Sequence, residues 1–151
     1  MNKYLINEET YAILPFDKKY SIIYEKNNEI KIRKRPTTII SNNCLLYGSS
    51  IDGRFKSTEY STGITYKPPI LLNDKSNSIF FPTASPKLNR CGWINLNSIK
   101  KIFKDSNNGT KIEFINNKIV RLAVSFNIIN NQILKASRLE YILRQNKKNF
   151  D

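Results

Sequence analysis

Residues 99–124 run IKKIFKDSNNGTKIEFINNKIVRLAV. Three apolar segments, Ile99–Lys104, Lys111–Ile115 and Ile119–Val124, are rich in β-branched and aromatic residues. Asp105-Ser106-Asn107-Asn108-Gly109 and Asn116-Asn117 separate them. Asn, Asp and Gly reach the backbone angles that reverse a chain tightly, so the pattern predicts three antiparallel strands joined by two turns. Downstream, Ile129, Ile133, Ala136, Leu139 and Leu143 recur near the 3.6-residue period and predict an amphipathic helix over 127–144. Its other face carries Lys135, Arg138 and Arg144, and the polar run Gln145 to Asp151 follows.

Upstream, Pro36 is followed by Ile39, Ile40, Cys44 and Tyr47 on one helical face, and Gly48 stands where a helix would end. Proline at a first helical position and glycine just past the last mark a helix from Pro36 to Tyr47. Ser49 and Ser50 are suited to cap a second helix running towards Tyr60, with Gly63 as its stop. Ile64–Tyr66 and Pro69–Leu72 read as extended, because Pro68 denies Lys67 a helical conformation. Ser78–Phe81 is a short strand stopped by Pro82, and Ser85–Arg90 is a loop. The first third, Tyr11–Phe16, Tyr20–Glu25 and Ile30–Arg33 with the turn pair Asn27-Asn28, reads as a β-meander. The expected fold is α+β within a single domain over 1–151. An N-terminal β-meander or hairpin region (1–35) is followed by a central helix pair (36–62), then by a three-stranded antiparallel sheet and a C-terminal amphipathic helix (63–151). No repeat or low-complexity block divides it.

The chain has 151 residues, 40% hydrophobic and 25% charged. That length buries roughly 68 to 70% of the unfolded surface, enough for a core without staples. The charge is less ordinary: 25 Lys and Arg against 12 Asp and Glu leave +13, with no histidine. Residues 1–29 hold four Lys against five acids, so the whole excess lies from residue 30 onward, in the presumptive folded body. A polyanion is the partner that such a distribution favours, above all a nucleic acid. The abundance of Asn, Ile and Lys also fits AT-rich codon usage, which accounts for the lysines but not for their placement.

The absence of histidine removes Ser-His-Asp and Cys-His catalysis and His-ligated metals. Cys44 and Cys91 form no CxxC pair, so a zinc site is not expected, and both are expected as buried thiols in a reducing cytoplasm. The opening MNKYLINEETYAILPF lacks the pattern of an export signal, and no apolar run approaches the roughly 20 residues that span a bilayer. Asp105 and Glu113 straddle a hairpin, but Glu113-Phe114-Ile115 lacks the lysine of a metal-dependent nuclease. Glu113 is expected to pair with Lys111 or Lys101 across the sheet. Asp52 and Glu59 beside Arg54 and Lys56 read as a solvated helix face. No GxGxxG or phosphate-binding loop occurs, so no enzyme and no cofactor are expected.

No zinc finger, RRM signature or leucine zipper is present, but a helix pair joined at Gly48 allows a helix-turn-helix in which Ser49, Ser50, Arg54 and Lys56 face phosphates. The structural alternative makes Gly48 a C-cap, Ser49 or Ser50 an N-cap and Arg54 a salt-bridge partner. Lys100, Lys101 and Lys104 fit an ordinary wet sheet face as well as a groove contact.

The ordered strings CLLYGSSIDGR, TGITYKPPILL, IFFPT and CGWINL, between Cys44 and Leu96, resemble the ComK competence transcription factor family. Gly48-Ser49-Ser50 with Gly53-Arg54, Lys67-Pro68-Pro69-Ile70, Phe80-Phe81-Pro82-Thr83 and Cys91-Gly92-Trp93-Ile94 carry the likeness, which continues through Val124-Ser125-Phe126 and Asn131-Gln132. The resemblance implies a cytoplasmic bacterial activator of DNA-uptake genes. It would bind paired A/T tracts in double-stranded promoter DNA, largely through the minor groove, as a dimer or pair of dimers, and touch RNA polymerase. A narrow A-tract groove concentrates negative potential, which suits the charge.

On this reading the DNA contacts are Arg54, Lys56 and Lys67, then Arg90, Lys87 and Lys100, with Ser49 and Ser50 donating hydrogen bonds; Trp93, Cys91, Tyr47 and Phe80 are core. Family members extend further, with a C-terminal segment that serves activation and capture by the adaptor MecA and the ClpC/ClpP protease. This sequence stops at Asp151 after NKKNF and offers no match to it. The expectation is a short member with the DNA-binding body complete. The alternative functions are a truncated interaction partner that modulates a longer family member without activating transcription itself, and an RNA-binding protein with exposed strand aromatics.

Overall fold

The apolar segments of the first third pair as expected, and their alternation explains what they join. A computed structural model describes residues 3–76 and 78–150. β1 (Thr10–Pro15), β2 (Ser21–Glu25) and β3 (Glu29–Ile32) form the meander, with Ile13 opposite Ile23 and Ile23 opposite Ile30. β1 is buried nearly throughout, the mark of a strand covered on both faces. It lies in the interior of a six-stranded antiparallel sheet, order β3-β2-β1-β6-β5-β4, made with β4 (Ile70–Asn73), β5 (Ser78–Pro82) and β6 (Trp93–Asn95). The meander is therefore not a separate N-terminal hairpin: Ala12 pairs with Ile94 and Ile13 with Trp93 across most of the chain.

Side-chain alternation sends Ile13, Ile23, Leu72, Phe80 and Trp93 to one face of this sheet. There they meet α1 (Pro36–Leu46) through Ile39, Ile40 and Cys44, and α2 (Ile51–Thr62) through Ile51 and Phe55. Pro36 opens α1, Ser50 Oγ caps α2 by accepting from Gly53 N at 2.9 Å, and Gly63 closes α2 at φ 79°. Buried Asn43 bonds Ile6 N, Tyr4 O and Ile39 O, fastening the N-terminal segment to α1.

The opposite face, with Leu14, Ile79, Phe81 and Ile94, packs on the three-stranded sheet β7 (Ile99–Lys104), β8 (Thr110–Phe114) and β9 (Ile119–Leu122), and on α3 (Phe126–Phe150). The α+β architecture is that expected, with helix pair, large sheet, and small sheet plus α3 as successive layers. Gly109 is required in the β7–β8 turn, since a Cβ there would lie 2.7 Å from Leu122 O.

Three local expectations change. Residues 64–66 form no strand, and Lys67 is not extended but takes φ 45°. α3 does not stop at Arg144 but carries the polar run on to Phe150; Asp151 lies outside the described residues. Charged side chains on an exposed final turn favour helix as readily as coil.

Candidate nucleic-acid interface

The loop between α2 and β4 is pinned by both neighbouring helices. Lys135 Nζ donates to Tyr66 O at 2.7 Å, and Gln132 Nε2 donates to Lys67 O at 2.9 Å and to Pro82 O at 2.8 Å. Thr58 Oγ1 donates to Pro69 O at 2.6 Å. Three carbonyls of four consecutive residues are thus fixed by buried or half-buried side chains, which holds Lys67 in its left-handed conformation at a cost of about 1–3 kcal/mol. The result is a preorganised projection. Tyr66 is 70% exposed, and the ammonium groups of Lys67 and Lys135 each lie 5.1 Å from its ring centroid.

Beside this projection a cleft of about 430 Å³ is lined by Phe55, Tyr66, Lys67 and Lys87, with Asp52 as the acid at its wall. Lys87 belongs to the 85–90 loop, which Arg35 secures by a hydrogen bond to Asn89. Burial, and then the neighbouring Lys67, pull the Lys135 ammonium below its ordinary value. Among the described residues none of Lys67, Lys87 and Lys135 has a carboxylate within salt-bridge distance.

The eight residues singled out from the sequence do not form one surface. Lys67 and Lys87 share the cleft, and Lys56 is exposed on α2 beside Phe55. Ser50 Oγ is occupied as the N-cap, and Ser49 Oγ approaches Ser50 O at 3.4 Å. Arg54 turns inward: its side chain is 15% exposed, its Nε has no partner among the described residues, and its Nη1 lies 3.4 Å from Oδ1 of Asp74. One turn separates Arg54 from buried Thr58, so the same helix face carries it towards β4. Arg90 borders a different groove, beside β9.

Lys100 is on the small sheet, 3.8 Å from Glu113 and bonded to Asn117 Oδ1. Glu113 stands opposite Lys101 in the strand register, as expected, but its carboxylate makes its ion pair with Lys100, across an irregularity between Ile99 and Lys101. Lys111 and Arg121 share Asp105, and Lys118 meets Glu29 at 2.7 Å. Tyr66, Gln132 and Lys135 were not among the sequence candidates. The available signal was Gln132 itself, an amide on the apolar face of α3 that needs buried partners.

Both cysteines are free and buried, as expected. Burial pushes the Cys44 thiol up to about 11 and raises that of Cys91. Among the described residues no group of three His, Cys, Asp or Glu could hold a metal ion, and no helix is long and apolar enough to cross a membrane.

The profile of the family described as "ComK protein" matches residues 1–148. The chain belongs to the ComK family. A Bacillus subtilis (strain 168) protein named "Competence transcription factor" is 35% identical over 143 residues, covering 92% of this chain and 74% of the relative. A transcription factor is not an enzyme class. No solved structure matches the chain.

Proposed function

We propose that this ComK-family chain is a DNA-binding transcriptional regulator of competence genes that meets its promoters in the cytoplasm. We assign paired A/T tracts as its target, approached largely from the minor groove by a pair of copies. The observation that carries the reading is the set of cations without carboxylate partners that gathers at Tyr66 and its cleft, from the pinned loop, the 85–90 loop and α3. Lys67, Lys87 and Lys135, with Lys56 alongside, are the proposed phosphate or groove contacts. Cations that no internal carboxylate neutralises release the most counterions from DNA, and fixed ones lose little entropy on contact. Arg54 is turned away to Asp74 and is not among these contacts, whereas Arg90 and Lys100 reach only a duplex that extends across other faces.

A titration with a duplex carrying two spaced A/T tracts, against a G/C-substituted control at several salt concentrations, tests the reading. Preference for the A/T duplex, with log affinity falling by about 0.9 per contacted phosphate for each unit of log salt, is the expected result. Equal affinity for both duplexes would leave only a basic surface.

A further inference from the structure

The small sheet leaves part of the large sheet uncovered. Its outer strand β9 pairs only with β8 among the described residues, so one backbone edge is free. Along that edge runs a groove of about 480 Å³. Val120 and Leu122 form one wall and Leu14, Phe16 and Ile22 the other, with Arg90 also on the groove. Phe16 is 56% exposed although Leu14, two residues earlier, is buried. A strand laid beside β9 would extend the small sheet over β1 and β2, with its inward side chains at the usual sheet-to-sheet spacing.

We propose that this groove receives an extended acidic peptide of a partner protein, added as a fourth strand to β9. The period of the strand sets the sequence it takes. Residues facing the large sheet meet Leu14, Phe16 and Ile22 and must be apolar. Residues facing outward lie beside Arg121, which is exposed and lies 3.7 Å from Asp105, a carboxylate that Lys111 also approaches at 3.9 Å, and beside Arg90. Alternating apolar and acidic side chains satisfy both demands. A second copy of this chain fits less well, because its own Lys118 and Arg121 would join a seam already basic. A duplex offers phosphates but no strand-period donors and acceptors, and nothing for the apolar wall to bury.

A panel of capped hexapeptides alternating Glu with Val, Leu or Tyr, added to the isotope-labelled protein, tests this. Dissociation constants on the order of 10 to 500 μM are expected, as for other small interfaces, with slowed amide exchange confined to residues 119–123. N-methylation of alternate peptide amides should weaken binding at least tenfold, since it removes strand pairing and keeps charge and apolar content. Arg90→Glu with Arg121→Glu should weaken it to a similar degree, and Lys67→Glu should not. The proposal fails if no panel member binds at about 1 mM, or if the methylated peptides bind as well. It fails equally if duplex DNA, or self-association without peptide, protects those amides instead.

Discussion

The basic residues around Tyr66 and those on the small sheet answer to different neighbours. On the small sheet Lys100, Lys111, Lys118 and Arg121 each lie within 4 Å of Glu113, Asp105 or Glu29. Around the cleft Lys67 and Lys135 flank an aromatic ring and repel one another, and Asp52 is the carboxylate at the wall. Formal charge is thus a poor guide to where a polyanion binds. A paired cation must share or surrender its carboxylate before it contributes fully to a phosphate, while crowded unpaired cations gain attraction and lose repulsion together.

The two faces share one platform, and removing it should have the largest effect. Trp93 is fully buried, stacks on Phe55 with centroids 6.3 Å apart, and donates from Nε1 to Thr37 Oγ1 at 3.0 Å. Trp93→Ala should cost about 3–5 kcal/mol of stability, read from chemical denaturation followed by far-ultraviolet circular dichroism. A single transition shifted as a whole is expected, since β6 carries Trp93 to the helices and Ile94 to the small sheet. Two separate transitions would show that the faces are independent bodies and that the comparison between them is one between domains.

Next in size is the charge contrast itself. Reversal of Lys67, Lys87 and Lys135 to Glu should lower duplex affinity by about 10² to 10³ at moderate salt and flatten the salt dependence by about three contacts. The same reversal at Lys100, Lys111 and Lys118 should do far less. Equal losses from both triple variants would mean that total charge governs binding and the arrangement around Tyr66 does not.

A smaller difference concerns pH. The folded Cys44 thiol, held at about 11 by burial, keeps its proton more tightly than an unfolded thiol near ~8.5 does. Its contribution to stability is therefore complete below about pH 8.5 and declines as pH rises through about 11. Urea midpoints should fall over that interval, and Cys44→Ala should show a shallower fall. An unchanged slope in that variant would place the alkaline sensitivity elsewhere, for instance at Tyr4, whose phenol is raised by burial and by its bond to Glu25.

Local chemistry made much of this fold legible. Pro36, Ser50 and Gly63 delimit the helix pair because caps and breakers act within a few residues, and the Asn and Gly turns delimit β7 to β9 for the same reason. The six-stranded sheet was hidden, because the pairing of Ala12 with Ile94 leaves no mark in either segment alone. The candidate interface was legible by residue type and hidden by direction. Lys67 and Lys87 converge, yet Arg54, one turn from Thr58, faces the sheet instead of solvent. Lys135 was visible on the basic face of α3, but only the docking of that helix through Gln132 brings it to Tyr66.

The finest division of the two surfaces rests on single lysines. Lys67→Ala should reduce the slope of log affinity against log salt by about 0.9, the signature of one lost phosphate contact. Lys100→Ala should change it by less than half of that, because Lys100 already shares its charge with Glu113 and its hydrogen bond with Asn117. Because Lys100 is exposed and its pair solvated, the substitution should leave stability within about 0.5 kcal/mol. The two variants carry the same change in net charge, so any difference between their slopes isolates position from charge. Identical slopes would place Lys100 against DNA as firmly as Lys67 and extend the interface across the small sheet.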